Sequence, residues 1–282
     1  MEALTKKELN ITATKIRMAV IEGTYNAKSG HPGGSLSIAD TLAVLYFVHM
    51  RVDPTNPKWK ERDRLVLSKG HTAPALYGAL ALKGYFPLED IPTLRHVGSH
   101  LQGHPDMNGT PGVDMSTGSL GQGVSAACGM ALAAKLDGSD RRVYSILGDG
   151  ELEEGQVWEA SMFAAHKKLD NLCLIIDNNN LQIDGTVVDV NSPLPIPEKF
   201  AAFGFNVIII DGHDVEQIDK ALIAAKEYKG KPTAIVQKSV KGKGVSFMEN
   251  QVGWHGVAPN KEQYEQAMQE LAAQLKQYEE AV

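Results

Sequence analysis

The amino-acid sequence predicts a doubly wound α/β fold, a mostly parallel sheet with helices on both faces. Short apolar, β-branched-rich runs recur along it: RLVL, VYSIL, LCLII, NVIII and TAIV. They are too short for helices and apolar throughout, as strands buried on both faces are. Longer stretches with helical spacing lie between them, the connection that parallel neighbours require. Several of the runs end in glycine, Asp or Asn, marking the strand ends at which such folds bind ligands.

Taken in order, Leu9 to Tyr25 has the spacing of an amphipathic helix, and Ser35 is placed as the N-cap of an apolar helix, LSIADTLAVLYFVHM. RLVLSKG is a strand running into glycine, followed by a helix from Pro74 to Lys83. The small residues of LGQGVSAACGMALAAKL suit a buried helix packed closely on its neighbours. RVYSILGDG is a strand, EEGQVWEASMFAAHKKL a helix and NLCLIID the next strand. NVIIIDG and PTAIVQKSV are strands either side of the helix DVEQIDKALIAAKEY, and Lys261 to Glu280 is an exposed closing helix. NSPLPIPEKF is expected to be a surface connection. With no internal repeat, low-complexity segment or linker, residues 1–282 are expected to form a single domain.

The 282 residues are 43% hydrophobic and 22% charged, with a net charge of −6. That supports a sizeable core and a soluble chain. No Lys/Arg block supplies a stripe for nucleic acid or an anionic membrane. Cys128 and Cys173 sit in apolar runs, as buried thiols do. The opening MEALTKKELN lacks the apolar core of a signal peptide, and no apolar run approaches the roughly 20 residues of a membrane span. A cytoplasmic location is expected.

The sharpest signal lies at two strand ends. Asp149 follows its strand directly, between Gly148 and Gly150, and Asn179 lies 30 residues further on, in the DNNN that ends the next strand. One βαβ unit separates them, so both face one crevice. A carboxylate and an amide oxygen there suit a hard cation, Mg²⁺ or Ca²⁺, with positions left for a diphosphate. Gly150 lets backbone approach the phosphate, and the helix starting near Glu153 is expected to point its N-terminus at it. GDG, a helix, then a strand ending in NN resembles the thiamine diphosphate fingerprint. The resemblance implies that Asp149, Asn179 and the backbone carbonyl of Leu181 hold the metal. The family commonly has Ile at this last place, and a carbonyl ligand is indifferent to the change.

Four of the nine histidines stand in glycine-rich turns: SGHPGG (His31), KGH (His71), GHPD (His104) and WHG (His255). Imidazoles can donate to, accept from or exchange protons with the hydroxyls of a sugar phosphate. His49, His96, His166 and His213 lack that context and are assigned surface or structural roles.

SGHPGGSLS, LSKGHTAPALYGAL, GHPDMNGTPGVDMSTGSLGQG, GDGELEEGQVWEA, DNNNLQIDG and GWHG occur in this order, and the series resembles the N-terminal part of transketolase over residues 10–260. The resemblance implies that His31, His71, His104 and His255 line the cofactor's reactive end and the sugar hydroxyls, with His71 and His255 touching the cofactor. It implies that Gly118, Ser119 and Leu120, where the family usually has Pro in place of Ser119, form a loop contacting the cofactor. Ile183 would pack on the thiazolium ring. Glu154 would join a hydrogen-bond network between two sites of a dimer; its plainer role is a helix N-terminal acid.

Whole transketolases are more than twice this length. The resemblance therefore implies the N-terminal subunit of a split transketolase, with the pyrimidine domain, its glutamate and the phosphate-holding arginines on a partner chain in an α₂β₂ heterotetramer. The implied reaction moves a two-carbon ketol unit from a ketose phosphate to an aldose phosphate, with thiamine diphosphate as electron sink, as in the pentose phosphate pathway. Two alternatives stay open at this point. One belongs to another thiamine diphosphate enzyme, deoxyxylulose-phosphate synthase-like or 2-oxoacid dehydrogenase-like. The other is a non-catalytic cofactor-binding paralogue. The four-histidine set, with Asp149 and Asn179, favours transketolase.

Overall fold

The computed structural model of the chain describes residues 4–280; Met1 to Ala3 of the opening stretch and the last two residues lie outside the described residues. Strands β1 (Arg64–Leu67), β2 (Val143–Gly148), β3 (Leu172–Asn178), β4 (Asn206–Asp211) and β5 (Thr233–Lys238) form one sheet in the order β1-β2-β3-β5-β4. Every pairing is parallel. The helices are α1 (Lys6–Ala27), α2 (Pro32–Leu36), α3 (Ala39–Val44), α4 (Ala73–Lys83), α5 (Gln122–Leu136), α6 (Gly155–His166), α7 (Val187–Asn191), α8 (Ile196–Ala202), α9 (Val215–Glu227) and α10 (Lys261–Glu280).

The continuous apolar strands are divided by the pleat. Tyr144, Ile146, Cys173 and Ile175 face a core shared with α1, α3, α4 and α9. Val143, Leu147, Leu172, Leu174 and Ile176 face a second core shared with α5, α6 and α8. Ile146 and Ile175 are fully buried, each contributing about 2 kcal/mol of transfer free energy. Local chemistry sets the helix ends. The Thr5 hydroxyl and the Glu8 carboxylate form a reciprocal capping box at the start of α1. Gly84, at φ 97°, ends α4. The Asp214 carboxylate accepts from the amides of Glu216 and Gln217 to start α9.

Four sequence expectations are corrected. Ser35 is not an N-cap: it lies inside α2 and its hydroxyl donates to the His31 carbonyl at 2.7 Å. The expected long helix is broken into α2, α3 and a π-helical turn, Leu45–His49. The break falls where the Ser37 hydroxyl bonds both the Gly34 carbonyl and the Asp177 carboxylate. The helix after GDG starts later than Glu153, because a 3₁₀ turn, Gly150–Glu153, comes first. NSPLPIPEKF is more than a surface connection, since α8 drives Ile196 and Phe200 into the second core. The closing helix α10 buries Ala267 and Leu271 and stacks Tyr264 on Tyr25 of α1, ring centres 4.1 Å apart. Among the described residues no helix is long and apolar enough to cross a membrane.

Candidate functional site

The carboxyl ends of four strands converge on one cavity of about 220 Å³. Lys69 follows β1, Asp149 follows β2, Asn179 follows β3 and Lys241 follows β5, and all four line it. Pairing of Gly148 with Asp177 and of Asn178 with Lys238 sets these ends level. His31, His71, His255, Gly118, Leu120, Gly150, Leu181 and Ile183 also line the cavity.

Asp149 is only 2% exposed. Its carboxylate accepts from the backbone N–H groups of Gly150 (2.9 Å) and Asn180. Burial, with the Asp177 carboxylate next, pushes Asp149 up to about 7 against those bonds. The Asn179 side-chain oxygen accepts from Leu181 N at 3.1 Å, while its amide nitrogen donates to Asp177 at 2.8 Å. The Leu181 carbonyl already faces a cation, the Lys241 ammonium at 3.1 Å. A carboxylate disfavoured as an anion, an amide oxygen and a carbonyl turned toward positive charge are the oxygen donors a hard divalent ion requires. The three residues expected to hold a metal therefore fit one.

Two buried lysines line the cavity, and neither was singled out as a site residue from the sequence. Lys69 is 1% exposed; its ammonium is paired with Asp177 and donates to the Gly34 carbonyl at 3.1 Å. Burial alone would raise the Asp177 carboxyl, but Lys69 and the hydroxyls of Ser239 and Ser37 hold it below the ordinary carboxylate value. Lys241 is 2% exposed, and its ammonium meets a carbonyl and an imidazole but no carboxylate among the described residues. Burial and the Lys69 ammonium press it down to about 8, so it remains largely cationic at neutral pH. With Asp149 and Asp177 acting on it only from a distance, a buried ammonium that touches no carboxylate favours a bound anion.

Removing Lys69 is expected to strand Asp177. Lys69→Met should lose about 3 kcal/mol or more of stability, the scale for breaking one side of a buried ion pair, and the urea midpoint measures it. An unchanged midpoint would show that the hydroxyls alone satisfy Asp177.

The four turn histidines come together. Ring centres lie 5.2 Å apart for His31 and His71, 5.5 Å for His31 and His255, 5.1 Å for His71 and His255, and 6.2 Å for His31 and His104. Glycines permit the approach: a Cβ on Gly33 would lie 2.7 Å from the Trp254 carbonyl, and one on Gly118 would lie 3.1 Å from the His104 ring. Burial, then neighbouring positive charge, drives His255 down to about 3 and His31 to about 4, and the same causes hold His71 well below the ordinary imidazole value and lower His104. The cluster is neutral at pH 7. The Lys241 ammonium, which can only donate, lies 2.8 Å from Nδ1 of His255, so the other ring nitrogen, Nε2, carries the proton.

Three expected residues do not line this cavity. His104 stands behind Gly118. Ser119 is exposed and its carbonyl takes the Gln122 N–H in the turn into α5. Glu154 is exposed at the N-cap of α6, with no side-chain cap bond. No residue of α6 lines the cavity, so the expected helix N-terminus is set back from it. Glu151, by contrast, is 2% exposed and ties three elements together. It accepts from the Ser68 hydroxyl after β1, from Gly121 N at 2.8 Å before α5 and from Gly148 N at 3.1 Å at the end of β2. A glutamate two residues after Asp149 carries no separate signal in the sequence.

The chain matches the family model for "Transketolase, thiamine diphosphate binding domain" over residues 9–279. It is 50% identical over 264 residues to the 6-deoxy-6-sulfo-D-fructose transketolase subunit SqwG of Clostridium sp. (strain MSTE9), covering 94% of this chain and 96% of that protein. It is 42% identical over 271 residues to one of the subunits of the apulose-4-phosphate transketolase of Phocaeicola vulgatus, covering 96% of each. To the transketolase of Homo sapiens it is 44% identical, covering 95% of this chain and 42% of that one. The structure of transketolase from Campylobacter jejuni superposes with a TM-score of 0.88 at 37% identity, covering 96% of this chain and 45% of the other. The chain thus spans nearly all of the two subunits and under half of the longer transketolases.

Proposed function

The chain belongs to the transketolase family as a thiamine diphosphate-binding N-terminal subunit, and from that premise we propose that, with a pyrimidine-domain partner chain, it transfers a two-carbon ketol unit between sugars. The observation that carries this reading is the convergence of Lys69, Asp149, Asn179 and Lys241 beneath a cluster of neutral histidines. Asp149, Asn179 and the Leu181 carbonyl hold a divalent metal, Mg²⁺ or Ca²⁺. Lys69 and Lys241 neutralise the diphosphate. Gly118, Leu120 and the Gly150 backbone form the walls, and Ile183, 62% exposed, offers an apolar face to the cofactor's ring. Thiamine diphosphate, when bound, supplies the electron sink. His31, His71, His104 and His255 orient the substrate's hydroxyls and move protons between them.

Glu154, exposed on α6, and Ser119, exposed before α5, are within reach of another chain, consistent with a cytoplasmic α₂β₂ assembly in which residues 1–282 are a single domain and the cofactor lies between unlike subunits. The relatives' names place an acidic group on their ketoses, a sulfonate in one and a phosphate in the other. The proposed substrate class is accordingly an anionic ketose and an aldose phosphate, with the pentose phosphate pathway as one setting.

Ketol transfer tests this. Xylulose 5-phosphate and 6-deoxy-6-sulfo-fructose are offered as donors to ribose 5-phosphate, with thiamine diphosphate and Mg²⁺. The expected result is turnover only when this chain and the pyrimidine-domain chain are combined. Turnover by this chain alone would remove the partner from the reading, and silence from the pair with both donors would remove transketolase activity.

A further inference from the structure

One histidine outside the cavity reaches it through the backbone. His213 follows β4 at the sheet edge, one strand beyond β5. Its Nδ1 lies 2.8 Å from Oδ2 of Asp40, a carboxylate that also receives the Arg17 guanidinium. Its Nε2 lies 2.8 Å from the backbone nitrogen of Val240. A backbone N–H only donates, so Nε2 is the acceptor. An ionised carboxylate only accepts, so Nδ1 carries the proton. Both neighbours thus select one tautomer of a neutral ring.

Val240 directly precedes Lys241, where the chain leaves β5. From there Lys241 reaches the Leu181 carbonyl and His255. Gly242 N donates to the Gly33 carbonyl at 2.9 Å beside the His31 turn, and a Cβ on Gly242 would lie 2.3 Å from the Met248 carbonyl. The segment from Val240 to His255 therefore leaves little room for a shifted path, and its first residue is held by His213. We propose that His213 is a positioning residue for the cavity: by accepting the Val240 N–H it sets the direction of the chain at Lys241, and so the place of that ammonium and of His255.

The consequence for cofactor affinity rests on reading the cavity as a diphosphate site. The consequence for the segment does not. Two variants separate the ring's two bonds. The amide of Asn occupies the place of Nδ1, so His213→Asn keeps a donor for Asp40 and loses the acceptor for Val240. The amide of Gln occupies the place of Nε2, so His213→Gln keeps the acceptor and loses the donor. Each loses one hydrogen bond, so a merely structural role predicts similar behaviour for both.

The measurements are thermal midpoint, amide hydrogen exchange of residues 240–255 in the full chain without cofactor, and calorimetric binding of thiamine diphosphate with Mg²⁺ in the two-chain complex. With His213→Asn, exchange of the segment is expected to rise and affinity to fall about tenfold, the scale of one unsatisfied backbone donor. His213→Gln is expected to match the wild type in both, at a thermal midpoint close to that of His213→Asn. Equal exchange in the two variants would overturn the proposal, as would a lowered midpoint of His213→Asn with its affinity unchanged. If the wild-type complex binds no thiamine diphosphate, the functional reading fails, and the exchange comparison still decides the role of His213.

Discussion

Replacing Asp149 by alanine is expected to abolish binding of thiamine diphosphate with Mg²⁺, a loss of at least about 100-fold, since changes behind a metal ligand alone reach that scale. Asp149 is the one carboxylate among the three proposed metal donors, the others being an amide and a carbonyl oxygen. Its loss would also leave the Gly150 and Asn180 amides without their acceptor. Calorimetry on the two-chain complex checks it, and unchanged affinity would sink the site assignment.

A second measurement separates this from unfolding. Burial and Asp177 raise the Asp149 carboxyl from 3.8 to about 7. A carboxyl that binds its proton more tightly in the folded state loses stability as pH rises from 3.8 through about 7. At pH 8, without metal, Asp149→Asn is therefore expected to unfold at the same temperature as the wild type or higher, while failing to bind cofactor. A marked fall in that temperature would mean that the carboxylate serves the fold.

Replacing His255 by alanine is expected to slow transfer in the reconstituted complex by about 10² or more, the usual scale for a lost proton-transfer group. His255 stacks on His71 and faces His31 across the cavity, with Nδ1 occupied by Lys241 and Nε2–H left to meet a substrate hydroxyl. Its low pKa, about 3, adds a signature: between pH 5 and 8 the rate should show no step from protonation of this ring. Single-turnover measurements of the variant and a pH profile of the wild type check the two parts. Normal turnover by the variant would remove His255 from the catalytic set.

How much of this was legible from the residues alone depended on how far apart the interacting groups lie. Asp149 and Asn179 could be paired because one βαβ unit fixes their relation and parallel neighbours end at the same level. The histidines could be nominated because each turn carries its own glycines. The Lys69–Asp177 pair spans 108 residues and joins two strands on either side of β2. Each residue looked like an ordinary polar end to an apolar strand, although a lysine that ends buried must find a partner. Lys241 sat in a glycine-lysine stretch that offered no reason for burial. Ser35 was misplaced because α2 and α3 are buried on every side, so no amphipathic phase marks the break at Ser37. At that break the Ser37 hydroxyl bonds Asp177, 140 residues away.

By itself, then, the sequence determined the alternation of strands and helices, the parallel sheet, the family and the strand ends proposed to hold the metal. These follow from periodicity, turn chemistry and contacts within single βαβ units. Only the tertiary structure decided that four strand ends share one cavity, that two buried ammoniums line it, that the histidines within it are neutral and that Glu151 ties its walls. Those properties come from burial and from charges brought together across more than a hundred residues, and desolvation acts on a group only once the fold has closed around it.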